Sequence, residues 1–237
     1  GRMLQHIAMG YVDFSQVRHL ILDEADRMLD MGFHDDIMQV VKLLPTETRQ
    51  TLMFSATMPP KIRTLAKNIL RNPKEISIAI AKPAEGIRQA AIPIYEPQKG
   101  AMVMDILRSH SGMSIIIFGS RKQSVKELGH SLKRKGFNAG VIHSDLEQNE
   151  REEVLRQFRN RNIEVLVATD IIARGIDIPD VDVVINYDVP HDAEDYVHRI
   201  GRTARAGRDG RAVTLVSERD TRALAQIERL LKVKVPR

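Results

Sequence analysis

The chain has 237 residues, of which 43% are hydrophobic and 28% are charged, a composition typical of a globular protein. No apolar run approaches the roughly 20 residues needed to cross a bilayer, and no secretory signal opens the chain, so we expect a cytoplasmic protein without a membrane partner. The absence of cysteine excludes disulfide bonds and thiolate metal sites, while the net charge of +5 fits either a polyanionic partner or an ordinary, slightly basic protein.

The first 80 residues alternate short β-branched runs with amphipathic stretches, a pattern typical of parallel α/β units. It predicts strands at 17–22, 50–54 and 75–80, and helices at 33–44 and 60–70. Three strands make about half of a doubly wound domain. We therefore interpret 1–80 as the C-terminal portion of a first α/β domain.

The most broken stretch follows, with several Pro and Gly residues, and it predicts a linker at 81–90. Residues 91–217 resume the α/β alternation and are predicted to form a complete second domain. Its predicted strands are 92–95, 114–118, 139–142, 163–168, 183–187 and 210–216, and its predicted helices are 101–110, 121–135, 147–159 and 192–200. Residues 218–237 form a predicted terminal helix and basic tail, in which Ala223, Leu224, Ile227, Leu230 and Leu231 have helical spacing.

Carboxylates follow the first predicted strand directly, as Asp23, Glu24 and Asp26. Ligands of open α/β sheets bind outside the carboxyl ends of the strands. An apolar strand that ends in Asp-Glu is typical of nucleotide hydrolases, in which such carboxylates hold Mg²⁺ and orient water. By itself the pattern also fits an acidic helix N-terminus.

Two further segments favour the nucleotide interpretation. Ser55 and Thr57 follow the second predicted strand, where hydroxyl groups could bond to Asp26 or cap the next helix. Arg202 and Arg205 are three residues apart, so both guanidinium groups can reach one phosphate. The alternative for the arginine pair is a solvated basic turn.

These segments, in this order, resemble motifs II, III, V and VI of the DEAD-box RNA helicases. The matching runs are Asp23 to Asp26, Ser55 to Thr57, Ala168 to Asp177 and His198 to Gly207. Further runs, from Gly119 to Arg121, Gln148 to Arg151 and Val184 to Pro190, are similar to other family elements. Met28 to Phe33 resembles bacterial members of the RhlE-like type.

The resemblance implies two RecA-like parallel-sheet domains, the first only partly present, that bind ATP and RNA together. It implies that Asp23 holds Mg²⁺ through water and that Glu24 polarises the attacking water. Arg202 and Arg205 would contact the γ-phosphate. Other positions implied to act on the nucleotide or in domain coupling are Gly175, Asp177, Asp26, Ser55, Thr57 and His198.

For RNA, the family grips the sugar-phosphate backbone, and a content of only 4% aromatic residues argues against a base-stacking platform. We therefore expect low sequence specificity and strong salt dependence, in a monomer. The positions implied to contact RNA are Arg2, Gly119, Ser120, Arg121, Arg151, Thr169 and Arg174. Individually, Arg121 and Arg151 could be ordinary exposed helix charges.

No Gly-Lys dipeptide occurs in the chain, so the phosphate-binding loop that the family places well before the Asp-Glu-Ala-Asp run is missing. Either that loop lies upstream of this chain or the first-domain remnant is only marginally stable, and in both cases we expect the chain alone to be inactive. Two alternatives remain: an ATPase that acts on DNA, and a fragment that serves as a non-catalytic RNA- or protein-binding module.

Overall fold

A computed structural model describes residues 1–55, 57–77, 86–170, 178–191, 193–204 and 209–237, apart from the side chain of Asp30. The chain divides into two compact units, Gly1–Ala79 and Ile80–Arg237, which we call unit 1 and unit 2. In the described ranges, no helix is both long enough and apolar enough to span a membrane.

Unit 1 has a sheet of two parallel strands, with His19 opposite Gln50 and Leu22 opposite Met53. Its elements are α1 (Arg2–Ala8), β1 (His19–Leu22), α2 (Ala25–Asp30), α3 (His34–Leu43), β2 (Gln50–Met53) and α4 (Pro60–Ile69). Pro60 suits the first turn of α4, where its missing N–H costs no helical hydrogen bond.

The core of unit 1 is small and leaves apolar side chains uncovered. Leu22, Ile37, Leu65 and Ile69 form its buried centre, because α3 and α4 turn one apolar face toward the sheet. On the strands, however, the side chain of Ile21 is 59% exposed. A two-stranded sheet covered in this way has little buried apolar surface to stabilise it.

Unit 2 has a sheet of six parallel strands in the order β3-β8-β7-β4-β6-β5. Its elements are β3 (Ile87–Pro93), a 3₁₀ turn (Glu96–Gln98), α5 (Lys99–Ser109), β4 (Ile115–Gly119), α6 (Lys122–Arg134), β5 (Ala139–Ile142), α7 (Gln148–Arg159), β6 (Val165–Thr169), β7 (Val183–Asn186), α8 (Ala193–Ile200), β8 (Gly210–Val216) and α9 (Thr221–Leu231). The prediction of an α/β fold with parallel sheets is confirmed.

Two apolar cores cover the two faces of this sheet. Residues of α5 and α6 pack on one face, and residues of α7, α8 and α9 pack on the other. The central strands β4 and β6 are buried along their whole length, which explains their continuous β-branched runs. The carboxyl ends of all six strands lie at one side of the sheet, where a ligand would bind.

Three local predictions are wrong or shifted. Of the strand predicted at 75–80, residues 75–77 form no strand, Ile76 is 86% exposed, and residues 78–80 lie outside the described residues. The predicted linker at 81–90 overlaps β3, which begins at Ile87, and the predicted strand at 92–95 is the end of β3. Seven residues of β3 pair with β8, so the partner strand imposes extended structure on a run with few β-branched residues.

The C-terminal segment packs as a helix, as expected. The prediction is wrong for one apolar residue. Leu224, Ile227 and Leu231 are buried, but Leu230 is 53% exposed. Glu228 is buried instead, where its carboxylate accepts hydrogen bonds from the Val235 backbone and the Arg237 guanidinium. These bonds fold the tail back, and the carbonyl of Pro236 accepts from the Ala91 N–H of edge strand β3.

Candidate functional site

The turn after β1 presents two exposed carboxylates. Glu24 has φ 48° and ψ 47°, in the left-handed region that non-glycine residues seldom adopt. Ala25 is fully buried, and its N–H donates to the Phe54 carbonyl at 3.0 Å, which fixes the chain directly after Glu24. The constrained turn therefore holds Asp23 and Glu24 at the strand end, facing solvent, and unusual backbone of this kind is common at functional sites.

Asp23 has the properties of a single carboxylate ligand for Mg²⁺. One of its oxygens accepts the Glu24 N–H at 2.9 Å, and in the described part of the chain its side chain forms no ion pair. Mg²⁺ in nucleotide sites is usually held by one or two carboxylates, water and substrate phosphates, so this arrangement fits. Among the described residues, no group of three or more His, Cys, Asp or Glu side chains is placed to hold a metal ion.

Asp26 joins the ends of β1 and β2 through hydrogen bonds. Its Oδ2 accepts from both the N–H and the hydroxyl of Thr57, each at 2.8 Å. Ser55 Oγ accepts the Asp26 N–H at 3.1 Å and donates to the Thr57 carbonyl. Thus Asp26, Ser55 and Thr57 form one network inside unit 1. Burial tends to raise the pKa of Asp26, but the bonds from Thr57, Arg27 and Ser55 outweigh it and leave the pKa below 3.8.

Replacing Thr57 with valine should lower the free energy of unfolding of unit 1 by about 1 kcal/mol at neutral pH, because a hydrogen bond to a charged carboxylate is lost. The depressed pKa of Asp26 means that the network stabilises the fold above pH 3.8 and that this stabilisation is lost as the pH falls through the folded-state pKa. The difference in free energy of unfolding between the wild type and Thr57→Val should therefore become smaller in acid. Urea titrations at pH 7 and pH 3 measure this difference, with Thr64→Val as the control, since in the described part of the chain the Thr64 hydroxyl donates to the Pro60 carbonyl of its own helix. A difference in free energy of unfolding that is the same at pH 3 as at pH 7 would contradict this account.

In unit 2, the loop after β4 is held by Asp188, which follows β7. Asp188 Oδ2 accepts the Ser120 N–H at 2.8 Å. Gly119 is packed so closely that an added Cβ would lie 2.8 Å from Val125 Cγ2, so a larger residue would force Val125 to shift. Arg121 is exposed at the start of α6. The predicted RNA-contacting run from Gly119 to Arg121 is thus a fixed backbone turn with an exposed arginine beside it.

Asp188 is held in turn by Lys99, which sequence reasoning missed. The Lys99 side chain is only 1% exposed, and its ammonium group lies 3.0 to 3.3 Å from carboxylate oxygens of Glu96, Asp188 and Asp220. Burial disfavours the charged form, but these carboxylates outweigh it and raise the pKa of Lys99. This buried cation therefore connects the ends of β7 and β8 to the loop after β4.

The other predicted RNA-contacting residues have different environments. Arg2 is exposed at the start of α1, in unit 1. Arg151, in α7, is half-buried and donates to the Ser144 carbonyl at 3.1 Å, while its Nε is buried without a hydrogen-bond partner. Thr169 is 7% exposed at the end of β6. Arg151 is therefore not the freely exposed helix charge that remained open as an alternative.

Arg199 organises the end of the sheet from within α8. It is 2% exposed, and its Nε and Nη2 donate to the two carboxylate oxygens of Asp170 at 2.5 and 2.6 Å. Its Nη1 donates to the Asp188 carbonyl at 2.6 Å and to Asn186 Oδ1 at 3.2 Å. The guanidinium also lies over the Phe118 ring, 5.4 Å from its centroid. One buried arginine thus links the ends of β4, β6 and β7.

Replacing Arg199 with leucine should lower the free energy of unfolding of unit 2 by about 3–5 kcal/mol, because Asp170 would keep a partly buried, uncompensated charge. Removing both partners, as Arg199→Leu with Asp170→Leu, should recover part of that loss. Guanidinium titration measures both variants, with Arg222→Leu as the control, because Arg222 is exposed on α9. A loss for Arg199→Leu no greater than that of the control would show that the buried pair contributes nothing.

The predicted coupling residue His198 lies at the end of α8, and the predicted phosphate-contacting residue Arg202 lies just beyond it. His198 is 41% exposed, with its ring 3.9 Å from the Glu194 carboxylate. Arg202 lies in the next turn, which is fixed where the buried Thr203 hydroxyl donates to the Val181 carbonyl at 2.6 Å. The remaining predicted residues, Arg174, Gly175, Asp177 and Arg205, lie outside the described residues, as does Ala56 between Ser55 and Thr57.

Sequence reasoning could have found some of the missed residues. Asp188 directly follows a β-branched strand, as Asp23 does, so the same strand-end rule applies to it. Asn186 is polar inside an apolar run, which indicates a buried hydrogen bond, and its amide does donate to Thr214 Oγ1 at 3.0 Å. No local signal distinguishes the buried Arg199 from its neighbours, and Lys99 resembles any helix-start lysine.

Comparison with known protein families gives two matches along the chain. Residues 1–65 match the DEAD/DEAH box helicase family, and residues 98–207 match the helicase conserved C-terminal domain. The chain is 43% identical over 238 residues to the DEAD-box ATP-dependent RNA helicase CshA of Geobacillus kaustophilus. That alignment covers the whole chain but 51% of the relative, so the chain spans about half the length of the curated relatives it matches.

Solved structures give the same result. S. cerevisiae Dbp5 bound to RNA and ADP BeF3 is 31% identical, with a TM-score of 0.87 that covers 99% of this chain and 63% of that one. The E. coli DEAD-box protein SrmB bound to the regulator of ribonuclease activity A (RraA) is 36% identical, with a TM-score of 0.59. This second alignment covers 63% of this chain and 88% of the SrmB chain. The α/β units therefore match the RecA-like domains of these proteins.

Proposed function

This chain belongs to the DEAD-box family of RNA helicases, and on that basis we propose that it works as part of an enzyme that couples ATP hydrolysis to local RNA unwinding or remodelling of RNA–protein complexes. The observation that carries the proposal is the turn after β1. There a left-handed Glu24 and an exposed Asp23 stand beside the hydrogen-bonded Asp26, Ser55 and Thr57.

In unit 1, Asp23 holds Mg²⁺ through water, and the ion, when bound, neutralises charge on the transferring phosphate. Glu24 orients and polarises the attacking water. Asp26, Ser55 and Thr57 do not take part in the chemistry, because both Asp26 oxygens already accept hydrogen bonds. We assign these three residues, together with His198 of unit 2, to domain coupling.

In unit 2, Arg202 and Arg205 stabilise the charge on the γ-phosphate, and Gly175 and Asp177 contact the nucleotide. Two guanidinium groups suit this role because they stay charged and donate several hydrogen bonds in a fixed geometry. The buried Arg199 supports Arg202 from the preceding turn of α8, since the Arg202 N–H donates to the Arg199 carbonyl at 3.1 Å.

RNA is bound along its sugar-phosphate backbone, with little reading of bases. The support for this is the fixed turn from Gly119 to Ser120 with the exposed Arg121 beside it. Arg2, Arg151, Thr169 and Arg174 complete the proposed track. Because each arginine contact neutralises a phosphate, binding should weaken steeply with salt and equally for all sequences.

The finer assignments are also proposals. Residues 1–80 belong to the first RecA-like domain, 91–217 to the second and 218–237 to a terminal helix and basic tail. Met28 to Phe33 supports a bacterial RhlE-like type, whereas the curated relative at 43% identity is named CshA. We place the protein in the cytoplasm as a monomer.

The experiment that tests the function compares phosphate release by the protein, extended upstream through the phosphate loop, with RNA and with single-stranded DNA of the same sequence. We expect RNA to stimulate hydrolysis and DNA not to do so. Equal stimulation by DNA would favour the DNA-dependent ATPase.

A second candidate role is a non-catalytic binding module. It is favoured by the complete six-stranded sheet of unit 2 and by the SrmB structure, in which a protein of this family is bound to RraA. If the 237-residue chain itself turned over ATP, it would not be a binding module alone.

A further inference from the structure

The two edge strands of the six-stranded sheet of unit 2, β3 and β5, differ in their backbone hydrogen bonding. At one edge, β3 has a backbone partner, because the Pro236 carbonyl accepts the Ala91 N–H at 2.7 Å. At the other edge, no described strand or tail pairs with the outer side of β5. Proteins usually cover or disrupt such edges, because free N–H and C=O groups there can pair with another chain.

The uncovered edge lies in a groove of about 880 Å³ between α6 and α7. The two helices lie on opposite faces of the sheet, so their facing sides form the walls and β5 forms the floor. The carbonyl of Asn138 bonds to the N–H of Val165 in β6. Since successive residues of a strand alternate in direction, the N–H and C=O of Val141 point into the groove.

The two walls of the groove differ in chemistry. On α6, Lys126, His130 and Lys133 recur at helical spacing along the groove. Lys126 already pairs with Asp145, but Lys133 is exposed and has no ion pair in the described ranges. This wall therefore has a positive charge, on Lys133, that no acidic side chain in the described part of the chain neutralises.

On the α7 side, the wall is apolar near the floor and its acidic groups are already occupied. Val154 and Ile163 pack over Gly140, where an added Cβ would lie 2.8 and 2.9 Å from their side chains. Glu153 accepts from Arg156 and Gln157, which lower its pKa to about 2, and Glu150 bonds to the Glu147 N–H. Because these carboxylates lie on the α7 wall alone, the groove disfavours a polyphosphate backbone and favours a peptide whose acidic side chains all face the α6 wall.

We propose that this groove binds an extended segment of a partner protein, which adds a strand to the outer side of β5. The side chains of an added strand alternate between the two walls. Acidic side chains would face Lys133 and His130, and β-branched apolar side chains would face Val154 and Ile163. The occupant is therefore an extended peptide in which acidic and β-branched residues alternate, bound through its main chain as in other cases of strand addition.

The probe is a fluorescein-labelled octapeptide of four Glu-Val repeats, titrated with the 237-residue chain in anisotropy measurements. The matched variants are His130→Glu with Lys133→Glu, in the groove, and Lys135→Glu, an exposed residue at the same helix end that does not line it. We expect the groove variant to weaken binding at least about tenfold, and Lys135→Glu to change it by no more than about twofold. Circular dichroism checks that both variants fold.

Two peptide controls test strand addition itself. N-methylation of alternate residues removes backbone donors but keeps the side chains, and it should abolish binding at one register of methylation and not at the other. A Lys-Val octapeptide should bind at least about tenfold more weakly than Glu-Val. On binding of Glu-Val, the Val141 amide should become protected from hydrogen exchange.

Several results would overturn the proposal. They are the absence of Glu-Val binding at about 1 mM peptide, equal losses in the groove and Lys135→Glu variants, and tolerance of both methylation registers. The proposal would also fail if oligouridine displaced the peptide and bound more weakly to the groove variant but not to the Lys135→Glu variant. The groove would then be an RNA-binding surface.

Discussion

Replacing Arg205 with alanine should lower RNA-stimulated ATP turnover by about 10³–10⁵-fold, in the protein extended upstream through the phosphate loop. Arginines that reach the transferring phosphate contribute that much to phosphoryl transfer, or roughly 4–7 kcal/mol. Arg205 follows Arg202 by three residues, after a turn that the buried Thr203 anchors. Steady-state phosphate release with saturating RNA measures the loss.

Two controls separate catalysis from folding. Arg205→Lys should restore little activity, because an ammonium group cannot reproduce a two-pronged guanidinium contact. Arg211→Ala removes an exposed arginine from the amino end of β8, opposite the carboxyl ends of the strands, and should leave turnover unchanged. If Arg205→Ala instead unfolds while hydrolysis per folded molecule is retained, Arg205 is structural.

The 237-residue chain alone should release phosphate at least about 10³-fold more slowly than the version extended through the phosphate loop. The loop normally supplies several backbone N–H groups and a lysine to the phosphates. Removal of one preorganised donor to a developing charge already costs about 10²–10³ in rate. No Gly-Lys pair occurs in this sequence to replace it.

Paired assays at equal protein concentration, with and without RNA, measure this difference. The extended protein with Glu24→Gln is the control for contaminating hydrolase, since it keeps the phosphate loop but loses the proposed water-orienting carboxylate. Equal rates for the short and extended proteins would mean that the residues present here are sufficient for hydrolysis.

Elements with a strong period and clear boundaries could be predicted from the sequence closely. Strand β5 at Ala139–Ile142 and strand β8 at Gly210–Val216 form as predicted, because β-branched runs there are bounded by turn residues. Helices α1 and α2 were missed. Each has seven residues or fewer, too short for an apolar period to develop, and α1 has no buried residue.

Site residues that directly follow a strand could be predicted from the sequence. Site residues whose role depends on being buried in the folded sheet could not. The strand-end rule identifies Asp23 and Glu24, but no local rule predicts that Glu24 adopts a left-handed conformation. Arg199 and Arg202 look equivalent in the sequence. Only the folded sheet makes Arg199 the partner of Asp170, 29 residues earlier, and buries it.

The central claim, that one enzyme state binds ATP and RNA together, is tested most directly by measuring whether the two ligands help each other bind. The extended protein is titrated with labelled oligouridine in the presence and absence of Mg²⁺, ADP and beryllium fluoride. We expect the ATP analogue to tighten RNA binding by about 5- to 150-fold, and RNA to tighten analogue binding by the same factor. An RNA affinity that does not change with the analogue would contradict the account.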